Sequence, residues 1–155
     1  MGRIRVESEK MVAASPEQVY GVLEDYTRRT AILPPNYSGF RVETGGHGDG
    51  TVATYRLRVG PRERTYRVRV EVPPGEPRRI VERDETSSLV TTWELQPLSA
   101  QSSTLVRLTA EWDGAGGVGG FFERTFAPSG LRRVQQEMLD ALEHTAGGLP
   151  TMAPR

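Results

Sequence analysis

From Phe40 onward, apolar and polar residues alternate with a period of two. Tyr55, Leu57 and Val59 interleave with Thr54, Arg56 and Arg58, and Tyr66, Val68, Val70 and Val72 with Arg67, Arg69 and Glu71. Leu89, Thr91, Trp93 and Leu95 interleave with Val90, Thr92, Glu94 and Gln96. Val106, Leu108, Ala110 and Trp112 interleave with Arg107, Thr109 and Glu111. One dry and one wet face per run is the pattern of antiparallel strands. Turn-forming segments separate the runs: Gly45 to Gly50, Gly60-Pro61, Pro73-Pro74-Gly75, Asp84 to Ser88, and Pro97 to Ser103. Connections this short make hairpins, so the pattern predicts a meander of about six strands.

The flanks read differently. Arg3 to Ala14 mixes charged and apolar residues as a strand does. Ser15-Pro16-Glu17-Gln18 then starts a helix: Ser15 can cap the Gln18 N–H, Gln18 can reach back, and proline suits the first helical position. Val19, Val22, Leu23 and Tyr26 follow as one apolar stripe. A second short helical piece is predicted over Thr27 to Leu33, ended by Pro34-Pro35. Near the C-terminus, a helical stretch runs from Phe121 to Ala146, with Leu131, Val134, Met138, Ala141, Leu142 and Thr145 on one face. Pro128 and Gly130 predict a kink or break, giving a short piece and then one of about 16 residues, roughly 24 Å long.

The order strand, two short helices, six strands, long helix predicts an α+β fold with a curved antiparallel sheet of about seven strands. Its dry face needs a cover, and only the C-terminal helix is long enough to provide one. At 155 residues the chain has the size of a single domain able to bury a core unaided. Residues 1–147 are read as that domain and 148–155, rich in Gly, Pro and polar residues, as a flexible tail.

Composition narrows the chemistry. The absence of cysteine removes disulfides and thiolate catalysis. His47 lies in a glycine-rich turn and His144 near a helix end, far from the three or four convergent ligands a zinc site needs, so no metal and no cofactor is expected. The 20 basic and 20 acidic residues cancel, which argues against nucleic acid. No apolar run approaches the roughly 20 residues needed to span a bilayer, the N-terminus is not a signal peptide, and Gly2 lacks the Ser or Thr that would complete a myristoylation motif. A soluble cytoplasmic protein, monomeric or homodimeric, is expected.

Several motifs have a sharp and a plain reading. Gly114-Ala115-Gly116-Gly117-Val118-Gly119 matches a dinucleotide fingerprint, but no second parallel strand follows; a strand-to-helix hinge is preferred. Gly45 to Gly50 lacks the Lys-Ser/Thr of a phosphate loop and is read as a hairpin turn. Phe121, Phe122 and Phe126 form either a pocket gate with Ile32, Leu33, Tyr37 and Phe40, or ordinary core. Tyr55 and Tyr66 are either acid/base groups, if buried near an arginine, or structural; an unperturbed pKa of about 10 makes them poor bases, and the structural reading is preferred. Arg67, Arg69 and Arg107 fall on the wet phase as partners of Glu71, Glu94 and Glu111, unless a bulge inverts a strand and admits an arginine to the interior. No Ser-His-Asp arrangement or G-x-S-x-G elbow is present.

From Arg3 to about Ala146 the chain resembles the START-like, Bet v 1-type (SRPBCC) superfamily, in particular its polyketide cyclase/dehydrase-like branch. The likeness rests on Met11-Val12-Ala13-Ala14-Ser15-Pro16-Glu17-Gln18-Val19-Tyr20 leading to Leu23-Glu24-Asp25-Tyr26, the strand meander, and the closing amphipathic helix. It implies a helix-grip fold, β-α-α-β6-α, with an apolar cavity between sheet and helix. Members include lipid and hormone carriers, aromatase/cyclases and chaperone-activator-like proteins. Their usual Trp-Pro pair is replaced by Leu33-Pro34-Pro35-Asn36-Tyr37, so no particular activity is carried over.

The inward phases then name a ligand-binding lining. The strands contribute Tyr37, Phe40, Tyr55, Leu57, Tyr66 and Val68, followed by Leu89, Thr91, Trp93, Leu108 and Trp112. The helical segments add Tyr26, Phe122, Phe126, Val134 and Met138. No catalytic residue is assigned. The expected function is binding of a small hydrophobic molecule, lipid or polyketide-like. A cyclase/aromatase or dehydratase is the first alternative, requiring at least two polar groups converging in the cavity. A protein-interaction module is the second, favoured by a solid core.

Overall fold

The structure, a computed structural model, describes residues 3–75, 77–98, 100, 102–113 and 127–147. In chain order it contains β1 (Arg3–Val12), α1 (Pro16–Glu24), a 3-10 helix (Tyr26–Ile32), β2 (Tyr37–Thr44), β3 (Val52–Val59) and β4 (Arg62–Glu71). There follow β5 (Arg78–Asp84), β6 (Val90–Leu98), β7 (Ser103–Asp113) and α2 (Pro128–Gly147). The strands form one antiparallel sheet in the order β1-β7-β6-β5-β4-β3-β2. This is the helix-grip α+β arrangement the sequence predicts: a six-strand meander with the N-terminal strand added beside β7.

The start of α1 follows its sequence signal. Ser15 Oγ accepts from the Gln18 N–H at 3.2 Å, and Gln18 Oε1 accepts from the Ser15 N–H at 2.9 Å. The glycine-rich β2–β3 turn does more than reverse the chain. Gly48 N–H donates to Glu24 C=O at 2.9 Å, and Tyr26 N–H donates to Gly46 C=O at 2.8 Å. The turn thereby straps the junction of α1 and the 3-10 helix. Gly48, at φ +60°, holds a conformation that residues with a Cβ adopt at a cost.

Helix α2 lies across the concave face, burying Leu131, Val134, Met138, Leu139 and Leu142. Pro128 takes the first position of this helix, where its missing N–H costs nothing, so no kink follows it. Gly130 does not break the helix either. A Cβ there would meet Val59 Cγ1 at 2.6 Å, so the missing side chain lets α2 press on the end of β3. A polar bridge fixes the helix on the other side: Gln135 Nε2 donates to Val6 C=O at 2.9 Å and Ser8 Oγ donates to Gln135 Oε1 at 2.8 Å. The expected helical piece from Phe121, the Gly114 to Gly120 hinge and the tail lie outside the described residues.

The outer face of the sheet carries ion pairs along its arginines and glutamates, as the wet phase predicts, with partly different partners. Arg67 meets Glu43 and Glu85, Arg69 meets Glu85, and Arg107 meets Glu7, Glu9 and Glu94. Glu71 pairs with Arg83 and Glu111 with Arg5. Exposed pairs of this kind contribute little to stability one by one. Among the described residues, no helix is long and apolar enough to cross a membrane.

Candidate functional site: the cavity between sheet and helix

Between α2 and the concave face lies a cavity walled mostly by aromatic and aliphatic side chains. About 60 Å³ of it is open to the centres of water-sized molecules, within about 800 Å³ of atom-free space that includes the mouth. The inner volume, about 60 Å³, exceeds the roughly 10–15 Å³ a cavity needs to admit water. At roughly 24 cal/mol per Å³, leaving about 60 Å³ dry costs about 1–2 kcal/mol, which a marginally stable domain can carry.

Most of the expected lining is there. Tyr37, Phe40, Tyr55, Leu57 and Tyr66 come from β2, β3 and β4, and Leu89, Thr91, Leu108 and Trp112 from β6, β7 and the turn before β6. Val134 and Met138 come from α2, joined by Leu131 and Gln135. Three expected liners do not reach the cavity. Val68 and Trp93 are sealed in the core beneath it, Trp93 with its ring under the Arg29 guanidinium, 5.6 Å from ring centroid to guanidinium carbon. Tyr26 is buried and does not line the cavity, and its hydroxyl donates to Glu82, which does. Phe122 and Phe126 are outside the described residues, as is Phe121. Of their proposed gate partners, Leu33, Tyr37 and Phe40 line the cavity and Ile32 is core.

Tyr37 and Phe40 reach one cavity through a bulge. Residues three apart on a regular strand face opposite sides. The β2–β3 register shifts between Ser38 and Arg41, with Gly39 at φ +64°; such a bulge re-aims side chains. The rings of Tyr37 and Phe40 then stand 5.3 Å and 6.0 Å from that of Tyr55, which stands 5.7 Å from that of Tyr66. Together they make an aromatic shelf along one wall. At its rim the Tyr37 hydroxyl donates to Met138 Sδ at 3.4 Å, a weak link from edge strand to helix.

The polar end of the cavity is what sequence reasoning missed. An arginine does enter, not through an inverted strand but from the 3-10 helix. Arg29 Nη1 donates to Glu82 Oε2 at 2.9 Å and Nη2 donates to Leu23 C=O at 2.7 Å. Tyr26 Oη donates to the same Glu82 oxygen at 2.5 Å. The Arg29 guanidinium carbon also sits 4.1 Å from the Tyr26 ring centroid. Tyr26, Arg29 and Ile32, the buried residues of this helix, are spaced by three, and side chains three apart in a 3-10 helix share a face. That spacing was the available signal. From the sheet, Glu82 arrives in phase with Ile80, both buried on β5. Arg64 lines the cavity too, its guanidinium carbon 5.5 Å from the Tyr66 ring centroid.

The electrostatics of this end follow from burial. Burial, reinforced by the negative charge of Glu82, pushes the Tyr26 hydroxyl well above its ordinary pKa. Burial does the same to Tyr55, with Tyr37 and Glu82 adding to it. Burial alone would lower the Arg29 pKa, but Tyr26 and Glu82 outweigh it and the net shift is upward. The site is thus a buried ion pair beside neutral phenols, suited to holding and orienting a polar group. Among the described residues, no group of three or more acidic or histidine side chains is placed to hold a metal.

Comparison with known proteins agrees with this architecture. The sequence matches the family described as polyketide cyclase / dehydrase and lipid transport over residues 3–147. Among solved structures, the KanY protein (ms6282) is 41% identical at a TM-score of 0.82, covering 96% of this chain and 100% of that one. The Zhui aromatase/cyclase from Streptomyces sp. R1128 is 21% identical at a TM-score of 0.75, covering 94% of each chain. A START superfamily protein from Mycobacterium smegmatis is 16% identical at a TM-score of 0.70, covering 94% of this chain and 98% of that one. A search of curated proteins returned no match. With residues 3–147 matched by its model, the chain belongs to the polyketide cyclase/dehydrase and lipid transport family.

Proposed function

We propose that the protein binds a small, largely apolar molecule in the cavity between the sheet and α2. Support comes from the lining: an aromatic shelf and aliphatic walls closing on one polar end, formed by Arg29 and Glu82. Apolar walls with a few placed polar groups are the usual form of a small-molecule site. The cavity is smaller than the 300–1,000 Å³ or so of typical ligand pockets, so the ligand enters by moving side chains or α2, and the weak Tyr37–Met138 link is the easiest contact to give way. The family's inclusion of lipid transport points the same way. The paired outer-face arginines favour a small-molecule partner over nucleic acid. Organic extraction of the purified full chain, followed by mass spectrometry and a fluorescent fatty-acid titration, tests the reading. A co-purifying apolar species or saturable uptake is expected; neither would count against it.

A second reading, catalysis of the cyclase/aromatase kind named for the Streptomyces relative, has its own support. Tyr55, Tyr66, Arg64, Arg29 and Glu82 all line the one cavity, which meets the requirement for convergent polar groups. Turnover of a poly-β-ketone substrate, abolished by Glu82→Gln with folding intact, would favour it over simple carriage. The interaction-module alternative has less behind it, because it called for a solid core.

A further inference from the structure

The polar end of the cavity is incompletely satisfied in a specific way. Both donors to Glu82 fall on Oε2. Oε1 has no partner among the described residues, although the Glu82 side chain is only 7% exposed and lines the cavity. It is not among the sealed polar atoms, which are Arg29 Nε, Trp93 Nε1 and Trp112 Nε1. A carboxylate oxygen held in place by Arg29 and Tyr26 and facing a cavity is a fixed acceptor awaiting a donor.

Charge restricts what the donor can be. Arg29 already neutralises Glu82, and Arg64 stands at the same cavity. An ammonium group would bring a further positive charge to a carboxylate already paired with the Arg29 guanidinium in a low-dielectric space. A carboxylate placed here would face Glu82 with no proton to offer. A neutral hydroxyl meets neither obstacle. The shelf of Tyr37, Phe40, Tyr55 and Tyr66 flanks this end and favours a flat ring, since aromatic pairs stack offset or edge-to-face.

We infer that Glu82 Oε1 is the specificity-determining acceptor of the cavity, selecting a flat aromatic ligand that carries a neutral hydroxyl at its inner end. The inference rests on the cavity-binding reading above. A hydrogen bond to an ionised acceptor, lost when the hydroxyl is methylated, leaves a buried carboxylate oxygen unpaired.

The test compares 2-naphthol with 2-methoxynaphthalene, titrated into the full chain and followed by ligand fluorescence and calorimetry. The hydroxyl compound should bind about 10- to 100-fold tighter. In Glu82→Gln, the amide oxygen must face Arg29, which can only donate, so the amide N–H₂ turns to the cavity. The preference should then fall to parity or invert. Equal affinity of the two compounds for the parent protein overturns the inference while leaving cavity binding intact, and this comparison holds even if Glu82→Gln does not fold. An undiminished preference in a folded Glu82→Gln variant also overturns it. If neither naphthalene nor a fluorescent fatty acid binds saturably, the cavity reading itself has failed and the anchor with it.

Discussion

Arg29 places Nη1 2.9 Å from Glu82 Oε2, with the two side chains only 3% and 7% exposed. Breaking such a pair by removing one partner leaves a buried, uncompensated charge and typically costs about 3–5 kcal/mol. Arg29→Met should therefore lower unfolding stability by that order in urea. Arg29→Met with Glu82→Leu should recover most of the loss, since an apolar replacement of both charges is often neutral or better. Equal destabilisation by the single and double variants would show that the pair is not coupled as described.

Alkaline pH should act through the buried phenols. Tyr26 and Tyr55 have folded-state pKa values raised above the ordinary 10.0, by burial first and by Glu82 in addition. A raised folded-state value means that the unfolded chain loses these protons first. Stability is then fully present below about pH 10 and declines as pH rises beyond it. Tyrosinate absorbance from these residues should appear together with loss of tertiary structure, not before it. Ionisation of all five tyrosines in a still-folded protein would contradict this.

The sequence carries its strands openly and its polar end in disguise. In β3, and in β4 from Tyr66 onward, every second residue is apolar, so the period alone puts Tyr55, Leu57 and Tyr66 on the cavity side, while Arg64 shares that phase without an apolar side chain to mark it. In β5, Arg78-Arg79-Ile80-Val81-Glu82-Arg83-Asp84, charges occupy both phases, so nothing marks Glu82 as inward. Arg28 and Arg29 are adjacent and chemically identical; only the three-residue period of a 3-10 helix separates the exposed one from the buried one. Trp93 and Val68 had the correct face but the wrong depth. Alternation tells which side of a sheet a residue faces, and not whether the space in front of it is filled.

Gly130 should resist substitution despite lying in a helix. Alanine is ordinarily better than glycine there by about 1 kcal/mol, yet its Cβ would meet Val59 Cγ1 at 2.6 Å. Gly130→Ala should lower the thermal midpoint, by the equivalent of about 1–3 kcal/mol for overpacking. Val59→Ala added to it should relieve the clash, and a double-mutant cycle should report the coupling. A stabilising Gly130→Ala would disprove the close approach.

Gln135 ties α2 to β1 through Val6 C=O and the Ser8 hydroxyl. Gln135→Leu keeps the volume but leaves both groups buried and unsatisfied, at about 1–3 kcal/mol. Hydrogen exchange should quicken in α2 and β1 while the β3–β4 hairpin is less affected. Uniform acceleration across the sheet would argue against a local tether.

The central claim is that the space in front of Ala110 and Leu108, between sheet and α2, is where the ligand sits. Ala110→Leu places a larger apolar side chain there without adding charge. Calorimetric titration of a fluorescent fatty acid and of 2-naphthol into parent and variant, beside their thermal midpoints, tests it most directly. Saturable binding by the parent, lost in a variant of equal or higher stability, is the expected result. A variant that remains folded and binds as tightly as the parent would place the ligand elsewhere.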